Sequence, residues 1–194
     1  MPMTEIPDKD LAVVVTYFEM NSRPTLIPSE HIQLTIWQNP NISEYRQLFK
    51  QVGQEWLWFG RLLLSDDDLH SAINDPNITI FHIIFQDRKI GFVELDFSQT
   101  SQCEILYFGI IPEMNGKRLG REIMSETLAH AWRTDIVRVW LHTCTNDSPR
   151  APSFYQKVGF TAYKRATDTH PDPRLTGILP KSAAPHVPLI GTVS

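Results

Sequence analysis

Three strand-like runs follow one another with almost nothing between them. Residues 78–85, 89–97 and 102–111 are rich in β-branched and aromatic side chains. Only Gln86, Asp87 and Arg88 separate the first two, and only 98–101 the second two. Connections this short join antiparallel neighbours, because a parallel crossover needs a dozen residues or more. The centre of the chain is therefore an antiparallel meander. That argues against a dinucleotide-binding βαβ unit, and no G-x-G-x-x-G follows a strand. A P-loop is excluded too, because Gly-Lys-Ser/Thr is absent.

The flanking segments supply further strands and helices. Residues 11–20 carry Val13, Val14, Val15, Tyr17 and Phe18 and read as a strand. Residues 31–37 alternate and read as another. Tyr45, Leu48, Phe49 and Val52 recur at helical spacing within 43–52. The aromatic run 56–64 fits either a buried helix or the wall of a binding site. A helix over 65–73 has Ser65 as N-cap and Asp66, Asp67 and Asp68 in its first turn. Downstream come a helix over 116–132, a strand over 137–143, a helix over 149–157 stopped by Gly159, and a strand over 160–165. Mixed order of this kind predicts an α+β fold with a mostly antiparallel central sheet and helices packed on it.

With 194 residues, 42% hydrophobic and 21% charged, the chain suits one folded domain. We expect a tail over 1–10, a single domain over 11–166 and a proline-rich arm over 167–194. Five of the 14 prolines fall within 171–188. Leu175, Ile178, Leu179, Val187 and Leu189 give that arm reason to pack on its own domain or on a second copy in a homodimer. A net charge of −4 leaves no electrostatic footprint for nucleic acid or an anionic membrane. Cys103 and Cys144 are too few for a disulfide scaffold or a multi-cysteine zinc site, and no metal is expected. The longest apolar run near the start, 11–15, is too short for a signal peptide, and no segment approaches a membrane span. A cytoplasmic protein is the expectation.

The chemistry concentrates in Cys103–Met124. A strand runs through Pro112 into a loop with Gly116 and Gly120, and the loop opens into an amphipathic helix. Free backbone N–H groups and the positive helix end favour an anion there, and Lys117, Arg118 and Arg121 add charge.

Downstream, Ala151, Tyr155, Gly159 and Phe160 spell Ala-x-x-x-Tyr-x-x-x-Gly-Phe. Together with Asn115-Gly116-Lys117-Arg118-Leu119-Gly120, this pair resembles motifs A and B of the GNAT superfamily of N-acetyltransferases. The resemblance covers about residues 78–165. Asn115 replaces the usual Gln or Arg, and Arg118 stands where the first motif glycine is usual. The family implies a GNAT-like sheet, helices on both faces, splayed at an acetyl-CoA site.

The resemblance also implies roles. Acetyl-CoA would be the acyl donor, with its pantetheine arm along the strand 107–111 and an oxyanion donor from a bend near Phe108, Gly109 and Ile110. Asn115, Gly116, Lys117, Arg118, Leu119 and Gly120, with Arg121, would hold the pyrophosphate, and Ser148 stands where an Asn often contacts CoA. Tyr155 is the candidate acid for the departing thiolate; the alternative is ring packing with a hydrogen bond to sulfur. Glu104 is the first candidate base, then Glu94, then a water chain. His142 reads as either a base or a structural imidazole, and Cys144 as a nucleophile is disfavoured. The expected function is direct acetyl transfer to a primary amine of a small-molecule or peptide acceptor. The alternative is an acyl-CoA-binding sensor or interaction module with the same fold.

Overall fold

A computed structural model gives the protein's structure over residues 3–191. The strands are β1 (Asp10–Met20), β2 (Ile32–Ile36), β3 (Ile78–Phe85), β4 (Arg88–Asp96), β5 (Gln102–Ile110), β6 (Arg138–Cys144) and β7 (Thr161–Pro171). The helices are α1 (Ile42–Gly53), α2 (Asp66–Ile73), α3 (Gly120–Ala131) and α4 (Ala151–Lys157). All seven strands form one sheet, in the order β2-β3-β4-β5-β6-β1-β7. Every pairing is antiparallel except β5 with β6.

Local chemistry explains the element ends. The Asn41 side chain accepts from the Ser43 and Glu44 N–H groups and starts α1. Ser65 caps α2 by accepting from the Asp68 N–H. Gln86 and Asp87 both adopt positive φ, 49° and 59°, as a two-residue hairpin turn requires.

Three sequence expectations shift. Residues 56–64 form no helix: Leu57 turns left-handed at φ 55° between two 3₁₀ turns, Gln54–Trp56 and Gly60–Leu62. Helix α3 begins at Gly120, because positive φ at Gly116 and Arg118 keeps the preceding loop non-helical. Strand β7 continues to Pro171, into the segment expected to be arm, because β1 pairs with it along its whole length.

Register assigns the two faces, since directly opposed residues share one. Phe18, Met20, Val139 and Leu141 point toward α3 and α4, where Phe18 meets Tyr155 at 5.7 Å between ring centroids. The other face carries Tyr17 opposite His142, Val15 opposite Cys144 and Val13 opposite Asp168. Helix α1 covers that face over β4 and β5, packing Tyr45 edge-on and Phe49 at a tilt against Phe92. The main core is continuous across both layers.

The described part of the C-terminal segment folds back on its own domain. Leu179, Ala183 and Ala184 bury against Leu57, flanked by Leu11 and Leu62. Arg174 and Asp172 form a buried ion pair at 2.7 Å, and Arg174 Nη1 also donates to the carbonyls of Ala183, Ala184 and Val187. One arginine thus ties a loop that has no regular structure of its own.

His82 on β3 is 6% exposed, lies 4.1 Å from Trp37 between ring centroids, and leaves both ring nitrogens without a partner. Burial, reinforced by the charge of Lys89, pushes its pKa down from 6.5 to about 4. Between those values the unfolded chain binds the proton and the folded one does not. Stability therefore falls as pH falls through that window. His82→Phe should remove about 2–3 kcal/mol of the stability difference between pH 7 and pH 4.5. Urea denaturation of wild type and variant at both pH values measures this; equal pH dependence would refute it.

Candidate active site

Strands β5 and β6 pair only at Gln102–Glu104 against Arg138–Trp140. Beyond that they part. The pairing of β5 with β4 shifts at Leu106, where β5 carries one extra residue. This bulge lies two residues before the bend expected near Phe108. It turns the exposed edge of β5 toward the opening and widens the fork. Gly91 permits the tight contact of the two strands: a Cβ there would lie 2.2 Å from the Gly109 carbonyl oxygen.

The fork opens into a cleft of about 740 Å³. Phe108, Gly109, Ile110, Asn115, Gly116, Gly120, Ser148 and Tyr155 all line it. Arg118 and Leu119 line an adjoining groove with Arg150, and Leu119 is itself buried as the anchor of the loop. Lys117 is exposed, and Arg121 faces a separate groove beside Glu122 and Lys157.

The loop before α3 has the makings of an anion cradle. No side chain caps α3, which leaves its first-turn N–H groups free of side-chain acceptors. Arg118 holds φ at 63°, a conformation that glycine adopts without penalty and arginine at a cost of about 1 kcal/mol. The backbone thus has the shape a glycine would give it, with a guanidinium added. Arg150 supplies a second cation across the groove. It lies just before α4 in a turn and carries no spacing signal in the sequence.

Tyr155 sits on the α4 side of the fork, with Phe154 at 5.5 Å and Phe160 at 6.2 Å between ring centroids. Burial, then the Asp147 carboxylate, pushes its phenol well above the ordinary value. Asp147 organises the loop after β6. It accepts from Trp58 Nε1 at 3.1 Å, from the Thr143 hydroxyl at 2.6 Å and from the Cys144 N–H at 2.8 Å. Burial and Asp147 raise the Cys144 thiol to about 11, so it is protonated at neutral pH and a poor nucleophile.

On the opposite face, His142 lines the cleft, with its Nδ1 3.3 Å from Glu104 Oε1. Glu104 stands at the closed end of the fork, behind the imidazole, with its side chain 13% exposed. Glu94 is fully buried; its two oxygens engage Arg61 and, at 2.7 Å, the Tyr45 hydroxyl. Burial pushes its carboxyl up, with Arg61 and Tyr45 pulling it back. Burial alone would lower the Arg61 pKa, but Glu94 outweighs it and Arg61 stays charged. This network lies behind Tyr107, whose phenol burial raises to about 12. Trp56 and Phe59, from the aromatic run read as a possible binding wall, also line the cleft, as do Asp168 and His170, which no local motif marks. No group of three or more metal-ligating side chains occurs among the described residues, and no described helix is long and apolar enough to cross a membrane.

Comparison with known proteins agrees with this fold. The chain is 26% identical over 147 residues to "Acetyltransferase PseH" of Campylobacter jejuni, covering 74% of this chain and 85% of that protein. A functionally unknown conserved protein from Staphylococcus epidermidis superposes with a TM-score of 0.58 at 16% identity, over 84% of this chain and 63% of that one. An acetyltransferase from Thermus thermophilus superposes at 0.56 with 15% identity, over 75% of this chain and 99% of that one. Residues 40–160 match the acetyltransferase (GNAT) family, and this protein belongs to it as an acyltransferase enzyme.

Proposed function

We propose that this enzyme transfers an acetyl group from acetyl-CoA directly to the primary amine of a small-molecule or peptide acceptor. One observation carries the reading. A fork in the sheet joins an uncapped helix start, flanked by Arg118 and Arg150, to a His142–Glu104 pair on the opposite face. When bound, acetyl-CoA supplies the thioester electrophile. The N–H groups of Gly120 and its neighbours, with Arg118 and Arg150, hold the pyrophosphate. The free edge of β5 past Leu106 offers backbone groups to the extended arm and to the developing oxyanion.

His142 takes the proton of the attacking amine. Glu104 is the positioning residue: its carboxylate, 3.3 Å from Nδ1, favours the ring proton on that nitrogen and leaves the Nε2 lone pair available. Tyr155 acts on the other side of the fork. Its phenol stays neutral across the physiological range and donates a hydrogen bond to the departing sulfur. Full proton transfer from it to a thiolate, whose thiol pKa is ~8.5, is uphill, so the hydrogen bond itself provides the stabilisation.

A thermal-shift titration tests the donor. Acetyl-CoA at about 100 times its Kd should add ~2.7 kcal/mol, roughly 5–10 °C for a chain of this size, and ATP should add nothing. Tyr155→Phe should keep that shift yet lower amine-dependent thiol release about 100-fold. No shift at millimolar acetyl-CoA, or a variant with undiminished turnover, would overturn the proposal.

A further inference from the structure

The cleft segregates its charges. Its cations, Arg118 and Arg150, gather in and beside the end next to α3. No lysine or arginine lines the other end, where Trp56, Phe59, His170 and Asp168 stand. His170 is occupied: its ring lies 4.7 Å from that of Phe59, and its Nδ1 is 3.1 Å from the Pro171 carbonyl. The second cleft carboxylate, Asp147, is spent on Trp58, Thr143 and Cys144. The Asp168 carboxylate, on an exposed residue of the edge strand β7, has no hydrogen-bond or ion-pair partner among the described residues. Register puts it opposite Val13, on the same sheet face as His142.

We propose that Asp168 anchors a second, non-reacting cationic group of the acceptor, so that the substrate class is an elongated diamine or polyamine. This rests on the amine-acetylation reading above. The reacting amine must be neutral to attack, so a carboxylate that stabilises ammonium serves a different nitrogen. Trp56 and Phe59 offer aromatic surface for the chain between the two nitrogens and for the cation itself. Strand geometry sets the length. Asp168 lies two strands across from His142 and four residues along β1, Tyr17 to Val13. At strand spacings of ~4.8 Å and rises of ~3.4 Å their backbones stand about 17 Å apart, which leaves about 11 Å between the two ligand nitrogens once a hydrogen bond of ~2.9 Å is allowed at each end. A four-carbon diamine is too short to bridge that distance, whereas an eight-carbon diamine approaches it.

The test compares 1,8-diaminooctane with 1-aminooctane and 1,4-diaminobutane, using acetyl-CoA and thiol detection. Wild type should prefer 1,8-diaminooctane over both by about five- to tenfold in kcat/KM, the range of a partly screened ion pair with aromatic support. Asp168→Asn should bring the ratio to 1-aminooctane within about twofold of one, mainly through KM. Asp168→Lys should turn the preference toward 8-aminooctanoate. Equal wild-type kcat/KM for the three amines, or an unchanged ratio in Asp168→Asn, would overturn the proposal. Calorimetric titration of 1,8-diaminooctane into wild type and Asp168→Asn separates this inference from the amine-acetylation reading, because it needs no turnover. Tighter binding by wild type supports the anchor even if no amine is acetylated. Equal or absent binding overturns it even if acetylation occurs.

Discussion

His142→Ala is expected to lower kcat with amine acceptors by about 10²–10³-fold, while acetyl-CoA still raises Tm as it does in wild type. The imidazole lines the cleft on the face opposite Tyr155, and its nearest carboxylate is Glu104 at 3.3 Å. The two side chains should behave as one unit. Glu104→Gln keeps an acceptor oxygen near Nδ1 but removes the charge that stabilises the imidazolium, and should cost about tenfold. The double variant should be no slower than His142→Ala alone, because Glu104 has nothing left to orient. Independent, multiplying losses would place the carboxylate itself in contact with the amine. A thermal-shift response that disappears with the histidine would mean that His142 supports the fold rather than the proton transfer.

Glu94→Gln should produce the largest loss of stability, about 3–5 kcal/mol, or roughly a 10 °C fall in Tm. The Glu94 carboxylate is buried, and Tyr45 meets it from α1 and Arg61 from the 3₁₀ turn Gly60–Leu62. Removing its charge strands the Arg61 guanidinium, whose Nε already lacks a partner. The penalty comes from an uncompensated buried charge more than from the lost attraction. Replacing the whole network, as in Tyr45→Phe/Arg61→Met/Glu94→Leu, should therefore recover most of the loss. Urea denaturation gives both numbers. A deficit under 1 kcal/mol for Glu94→Gln would show that water reaches the pair. The network backs Tyr107, which lines the cleft, so the single variant should also loosen that wall and raise the acceptor KM before it alters acetyl-CoA binding.

Much of the fold was legible in short-range patterns. Loops of a few residues between apolar runs specify hairpins, and β3, β4 and β5 follow from that alone. Ser65 announces α2 because a hydroxyl there can satisfy the free N–H of Asp68. The spacing of Ala151, Tyr155, Gly159 and Phe160 places a helix and its left-handed stop, and Gly159 adopts φ 104°. The glycines before α3 mark the loop, since only certain residues accept its backbone cheaply.

Only the tertiary structure decided which strands became neighbours and what faced the cleft. Strand β1 is apolar on both faces, which fits a central strand but does not say which two strands flank it. It inserts between β6 and β7, far from β2, because Val13, Val15, Phe18 and Met20 are buried there. That placement brings Asp168 and His170 to the cleft, and the extra residue at Leu106 opens the fork beside them. The fold-back of residues 172–188 depends on one arginine reaching carbonyls 9 to 14 positions away. Spacing along a chain encodes backbone conformation over a turn or two, whereas burial and strand pairing are settled by partners that lie anywhere in the sequence. The loop proposed to receive the cofactor was therefore written locally, and the wall proposed to meet the acceptor was assembled only when the sheet closed.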